Sequence, residues 1–117
     1  ESLRDLHPDV PVIGFPRGAG PAAIWYVSET GVDGIGCDTA TPPYVMKEAF
    51  EEEEVVVQGN LDPLLLVAGG EQLDQRVDEI LGLMAGERFI FNLGHGIVPQ
   101  TPPENVARLV ERVRKRT

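Results

Sequence analysis

Four short apolar segments most constrain how this chain can fold. They cover residues 10–15, 34–38, 55–58 and 89–92, and each contains Val, Ile or Phe. Segments that are apolar on both faces are typical of buried parallel strands, whereas a half-exposed strand alternates apolar and polar residues. Each segment is followed by enough residues for a helix. The sequence therefore predicts a β-strand followed by an α-helix, repeated four times.

Apolar residues recur with helical spacing after the third and fourth segments. The two faces that we expect to be buried are formed by Leu73, Val77, Ile80, Leu81 and Met84, and by Val106, Leu109, Val110 and Val113. Two further helices are predicted over residues 21–30 and 44–52, the first ended by Gly31 and the second preceded by two prolines.

Two of the predicted helices begin with capping residues. Asp62 followed by Pro63 supplies a hydrogen-bond acceptor at the N-cap and a proline at the first helical position. Thr101 and Glu104 match a capping box, in which the hydroxyl accepts from the backbone NH three residues on and the glutamate reaches back to the cap. Both signals predict that a helix starts soon after a strand ends.

The repeated strand and helix order predicts right-handed parallel crossovers. Such units build either an open doubly wound sheet or part of a (β/α)8 barrel, and four units cannot close an eight-stranded barrel. The connections from helix to strand are short and contain no candidate site residues, whereas those from strand to helix contain the Arg, Asp, Asn and His residues discussed below. Because sites in these folds lie at the carboxyl ends of the strands, we expect function there.

Length, charge and cysteine content narrow the class of protein. The 117 residues suffice for one hydrophobic core, and a formal net charge of -9 disfavours nucleic acid and anionic membrane surfaces as partners. Cys37 is the only cysteine, which excludes an intrachain disulfide, and with two histidines it scarcely makes a metal site. We expect a cytoplasmic protein without a metal. We expect no export leader, and the start at Glu1 suggests a piece of a longer protein.

Three of the strand-to-helix connections carry candidate site residues. Arg17 lies in a glycine-rich loop and could hold a carboxylate or phosphate, or could be a solvated residue of a tight turn. Asp38 could bind substrate, cap the next turn or form a buried ion pair. Cys37 is predicted to pack in the core. Gln58 and Asn60 are predicted to hold backbone groups across the top of the sheet.

The sharpest signal is His95, which lies between Gly94 and Gly96. Glycines on both sides let a ligand and the backbone approach the imidazole closely, and histidine changes its charge near neutral pH. A lone histidine can also be a surface residue or a satisfied core residue. The residues alone leave both interpretations open.

Four strings in the same order and spacing resemble bacterial-type uroporphyrinogen decarboxylase. They cover residues 12–20, 34–39, 58–63, and 92–99 followed by 101–106, and the last includes the Asn-Leu-Gly-His-Gly sequence around His95. The resemblance extends over nearly the whole chain. It implies that residues 1–117 are a single segment, the C-terminal half of a (β/α)8 barrel with about four β-α units, whose partner is the remainder of the barrel.

The resemblance also implies an activity. The family removes carbon dioxide from the four acetate side chains of uroporphyrinogen III, which gives coproporphyrinogen III in haem biosynthesis, and it uses no metal or organic cofactor. His95 matches the family histidine that contacts substrate, and Arg17 and Asp38 are further candidates for substrate binding. The arginines and other principal site residues of the family match nothing in this chain. We therefore expect a carboxy-lyase segment that is inactive alone.

Three alternatives remain from the sequence. One is a zinc-dependent relative that transfers methyl groups between cobalamin and a thiol, although His95 stands where those relatives place a cysteine. Another is a non-catalytic half-barrel that self-associates or forms a homodimer, because its strand edges and apolar inner face invite association. The third is a doubly wound nucleotide-binding module, which lacks the usual glycine patterns here.

Overall fold

Strands and helices alternate along the described part of the chain, which in this computed structural model comprises residues 2–18, 22–51 and 53–116. The strands are β1 (Ile13–Gly14), β2 (Gly34–Gly36), β3 (Val56–Leu61) and β4 (Phe89–Leu93). The helices are α1 (Ser2–Leu6), α2 (Ala23–Thr30), α3 (Pro43–Phe50), α4 (Pro63–Ala68), α5 (Gly70–Leu83) and α6 (Pro103–Arg116). The four predicted strands and the helices between them are confirmed.

The four strands form one parallel sheet in the order β1-β2-β3-β4. Because the order never reverses, right-handed crossovers place the connecting helices on the same face of the sheet. A doubly wound sheet would reverse its order at a switch point, so that alternative is wrong. The topology is that of consecutive β-α units of a (β/α)8 barrel.

The two faces of the sheet differ in burial. Ile35 and Val57 are paired in register and are 0% and 3% exposed, in one core with residues of the surrounding helices. On the other face Gln58 is paired with Ile90, which is 44% exposed. One face therefore packs against helices, and the other is open among the described residues.

Both predicted helical faces pack against this core. The α5 residues Leu73, Val77 and Ile80 are fully buried, and on α6 the residues that pack are Val106, Leu109 and Val113. Val110 departs from the prediction, since it is 42% exposed. It lies beside the edge strand β4, where no further described element covers it.

Element boundaries differ from the prediction in three places. Strand β1 is shorter than the predicted segment, and β3 runs on to Leu61 through residues predicted as loop. The predicted third helix is two helices, broken at Gly69, which has a φ of 66°. Asn105 explains the break, because its Nδ2 donates to the carbonyls of Leu66 (2.8 Å) and Val67 (3.1 Å), and a Cβ at Gly69 would lie 2.7 Å from it.

One predicted cap is confirmed and one is wrong. Asp62 Oδ1 accepts from the NH of Leu64 at 2.9 Å, with Pro63 as the first residue of α4. The hydroxyl of Thr101 instead donates to the carbonyl of Val98 at 2.8 Å, and α6 begins two residues later. The predicted helix limits at residues 21 and 52 lie outside the described residues. In the described part of the chain, no helix is long and apolar enough to cross a membrane.

Candidate functional site

A cleft opens over the carboxyl ends of the strands on the helix-free face. It is lined by Ile13, Phe15, Gly36, Cys37, Gln58 and Asn92, and by residues 93–97. The lining thus comes from all four strands or the loops that follow them. Three loops matter for its geometry: the β1–α2 loop, described to Gly18, the β2–α3 loop and the β4–α6 loop.

His95 lies on the β4–α6 loop with its side chain exposed to the cleft. Gly94 anchors this loop, because its NH donates to the carbonyl of Leu61 at 2.8 Å. A Cβ on Gly94 would lie 2.6 Å from the backbone N of Thr39 and 2.9 Å from the backbone C of Asp38. The loop that carries the imidazole is therefore seated directly on the β2–α3 loop, and only glycine allows that approach.

Asp38 is buried between loops instead of lining the cleft, and 7% of it is exposed. Its Oδ2 accepts from the NH of Gly18 at 2.5 Å, and its Oδ1 accepts from the NH of Ala40 at 3.1 Å. This matches the capping interpretation of the residue and adds a connection to the β1–α2 loop. Its predicted contact with substrate stays a prediction.

Asn60 connects β3 to the same loop, as the sequence predicts. Its Nδ2 donates to the carbonyl of Asp38 at 3.0 Å and also to the carbonyl of Thr41. Asn60 is 4% exposed, and its Oδ1 has no hydrogen-bond partner among the described residues. The amide therefore holds the β2–α3 loop against the end of the sheet.

Arg17 is exposed on the β1–α2 loop, and its backbone NH donates to the carbonyl of Phe15 at 3.0 Å. Phe15 lines the cleft, whereas Arg17 itself stands outside the lining. The structure thus brings His95 and Phe15 to one cleft, with Arg17 two residues from the lining and Asp38 behind the loops.

Cys37 is packed as predicted, with 3% of the residue exposed. Burial, and secondarily the charge of Asp38, raise the pKa of its thiol to about 12. A thiol with that pKa is protonated at neutral pH and is a poor nucleophile or metal ligand. In the described part of the chain, no three His, Cys, Asp or Glu side chains converge where they could share a metal ion.

The sequence did not identify the neutral residues of the cleft, and one of them, Gln58, was predicted only to hold backbone groups. Phe15 and Ile97 are 47% and 54% exposed and give it apolar walls, while Gln58 and Asn92 supply amide groups beside His95. Only their position in the sequence could have indicated them, since each lies at the end of a strand or in the loop that follows a strand. The cleft can therefore hold a molecule with flat apolar parts and polar substituents, with one imidazole available for hydrogen bonding or charge pairing.

Comparisons with known proteins agree with this geometry. The family model described as uroporphyrinogen decarboxylase (URO-D) matches residues 1–116. A uroporphyrinogen decarboxylase of Granulibacter bethesdensis is 54% identical over 97% of this chain and 33% of its own length. The enzyme of Rhodospirillum rubrum is 53% identical over 97% of this chain and 32% of its own length. The enzyme of Brucella ovis is 49% identical over 97% of this chain and 33% of its own length.

The chain thus spans about a third of the length of the curated relatives that it matches. Its four strands keep the consecutive parallel order of a (β/α)8 barrel, and its histidine loop opens on the inner face of that sheet. The chain belongs to the uroporphyrinogen decarboxylase family.

Proposed function

We propose that this chain is the carboxyl-terminal part of a uroporphyrinogen decarboxylase, in which it supplies four of the eight β-α units and one wall of the active site. The observation that carries the proposal is the position of His95. It lies in the cleft on the open face of a sheet whose sequence matches the family over residues 1–116. The reaction is removal of carbon dioxide from the acetate side chains of uroporphyrinogen III, in porphyrin biosynthesis.

The chemistry needs an electron sink, which the substrate itself provides. Protonation of the pyrrole carbon next to the one that bears the acetate makes a ring cation, and the electron pair of the breaking carbon–carbon bond flows into it as carbon dioxide leaves. A proton then adds at the methylene carbon and the ring carbon loses its proton, which leaves a methyl group. Protein groups therefore act by holding substrate and by stabilising positive charge as it develops.

His95 holds a carboxylate of the substrate in this proposal. Its imidazole can donate a hydrogen bond to the carboxylate and, when protonated, pair with its charge. Phe15 and Ile97 provide apolar surface in the cleft against which the pyrrole rings can pack. Arg17, on the neighbouring β1–α2 loop, provides a second cation for a carboxylate at the rim.

The remaining cationic groups come from elsewhere in the complete enzyme. A substrate with eight carboxylates is repelled by a segment of net charge -9 unless arginines outside it reverse the local field. The chain alone should therefore be inactive. The rest of the barrel would cover the edge groove lined by Phe91, Leu109, Val110 and Val113. We further propose a cytoplasmic enzyme, consistent with a single unpaired cysteine, and a homodimer.

A chimeric enzyme tests the proposal. The segment of the Rhodospirillum rubrum decarboxylase that aligns with this chain over 113 residues is replaced by the chain itself. We expect the chimera to form coproporphyrinogen, and His95→Ala to lower kcat/KM by about 10- to 100-fold, the loss of one hydrogen bond to a charged group.

His7 supplies the matched control, because it is an exposed histidine outside the cleft, in the turn after α1. His7→Ala should leave kcat/KM unchanged. A folded but inactive chimera would contradict the proposed function. Equal activity of the His95→Ala and His7→Ala variants would remove His95 from the site.

A further inference from the structure

We infer that Asp38 is a positioning residue, which fixes the β1–α2 loop at Gly18 and thereby positions Arg17, two residues from Phe15 of the cleft that His95 lines. This inference rests on the proposed function, in which Arg17 binds a substrate carboxylate. It gives Asp38 a role that acts through Arg17 and not through direct contact with substrate.

The hydrogen bonds of the Asp38 carboxylate carry the inference. One oxygen accepts from the NH of Gly18, 2.5 Å away and adjacent to Arg17 in sequence, and the other accepts from Ala40 at 3.1 Å. The residue is 7% exposed. A buried carboxylate whose two oxygens already accept from backbone NH groups has little remaining capacity to bind a ligand, and its charge would repel an anionic substrate.

The backbone of Asp38 is held as firmly as its side chain. Its carbonyl accepts from Asn60 Nδ2 at 3.0 Å and from the NH of Thr41 at 3.2 Å. Gly94, next to His95, is seated against the peptide that joins Asp38 to Thr39. The β2–α3 loop is thus a common support for the loop of Arg17 and the loop of His95.

Asp38→Asn breaks this support selectively. An asparagine keeps one acceptor oxygen, but its NH2 group must then face a backbone NH, so one of the two hydrogen bonds is replaced by a repulsive contact. Release of Gly18 removes the hydrogen bond that anchors the backbone next to Arg17. The backbone that carries Arg17 then loses this anchor while the charge of Arg17 remains, and we expect substrate binding to weaken as it does when the guanidinium is removed.

A double-mutant cycle in the chimera tests this coupling. We expect Arg17→Ala and Asp38→Asn each to raise KM by about 10-fold with kcat nearly unchanged, and the double variant to raise KM no further. Asp62→Asn is the matched control, because Asp62 also accepts a backbone NH at a strand end but caps α4 without touching the β1–α2 loop. Asp62→Asn should leave KM unchanged.

Several outcomes would overturn the inference. The first is a double variant in which the effects of Arg17→Ala and Asp38→Asn on KM multiply. The second is a fall of kcat at constant KM in Asp38→Asn, and the third is an unchanged KM in Arg17→Ala. The last would also remove Arg17 from the proposed site, while leaving the role of His95 intact. If Asp38→Asn does not fold, Asp38→Glu takes its place in the cycle, since it keeps the charge but shifts the oxygens.

A spectroscopic measurement separates this inference from the proposed function. In the chimera labelled with 15N-glycine, Asp38→Asn should move the amide resonance of Gly18, which loses a hydrogen bond to a carboxylate. Asp62→Asn should leave that resonance in place. An unmoved Gly18 resonance in Asp38→Asn would overturn the inference even in a fully active enzyme. A moved resonance in an inactive chimera would support the contact between Asp38 and Gly18 and contradict the proposed function.

Discussion

Gly94 shows how one missing side chain positions the residue beside it. A Cβ at this position would meet backbone atoms of Thr39 and Asp38 at 2.6 and 2.9 Å, and backbone cannot rotate out of the way as the end of a side chain can. We expect Gly94→Ala to lower the free energy of unfolding of the chimera by about 1–3 kcal/mol, the usual range for overpacking. Urea denaturation of the chimera measures the change.

Gly96 is the internal control for this prediction. It lies on the other side of His95, and a Cβ there would meet nothing within 4 Å. Gly96→Ala should therefore leave the unfolding midpoint almost unchanged. Equal destabilisation by both substitutions would mean that the β4–α6 loop is not seated on the β2–α3 loop.

At the scale of elements, two Arg–Asp pairs join α5 to α6. Arg108 contacts both oxygens of Asp74 at 3.0 and 2.6 Å, and Arg112 contacts both oxygens of Asp78 at 2.9 and 2.5 Å. The members are four residues apart on each helix, so the pairs fix the register of two parallel helices. The hydrogen bonds from these arginines lower the pKa of both carboxyl groups.

Removal of both carboxylates tests what these pairs contribute. We expect the Asp74→Asn, Asp78→Asn double variant of the chimera to unfold at lower urea than its parent, with a difference that shrinks in high salt because salt screens exposed charges. Since the folded-state pKa values are lowered, this stability is present above the unfolded value near 3.8 and is lost as the pH falls through the folded values.

The control is an ion pair whose two residues lie on the same helix. Arg76 and Glu79 form an exposed pair on α5 at 3.0 Å, and Glu79→Gln should have a smaller effect because that pair joins no two elements. A double variant that unfolds at the same urea concentration as Glu79→Gln would show that the α5–α6 pairs do not stabilise the helix packing.

At the scale of the whole molecule, the open face of the sheet governs behaviour in solution. Ile13, Phe15 and Ile90 are 51%, 47% and 44% exposed there, and β1 and β4 are both edge strands. Exposed apolar surface beside unpaired strand edges favours association. We expect the isolated chain to show a mass above 12.7 kDa in light scattering at micromolar concentration.

A charge on the open face should reverse this association. Ile90→Lys places an ammonium group among the exposed apolar residues and should shift the chain toward the monomer. Trp25, 71% exposed on α2 in the helical layer, is the control, and Trp25→Lys should leave the mass unchanged. A stable monomer of the unmodified chain would rule out self-pairing through this face.

Local patterns were sufficient to predict much of the fold. Apolar segments and helical spacing predicted the strands and the buried faces of α5 and α6. The cap at Asp62 was predictable because its carboxylate accepts from the NH of Leu64, only two residues along the chain. The glycines around His95 and the family resemblance singled out one of the residues that line the cleft. The strands, the helical faces and the cap depend on neighbours within a few residues, which is why the sequence alone determined them.

The tertiary structure decided which distant residues meet. The strand order, the break at Gly69 and the link from Asp38 to Gly18 join parts of the chain that are separated by 20 or more residues. The α5–α6 pairs join residues 34 apart. No local pattern specifies such partners, because they are set by the direction of each crossover and by how closely the loops pack. The sequence thus identified His95, while only the folded sheet could reveal that Asp38 supports the loops around it.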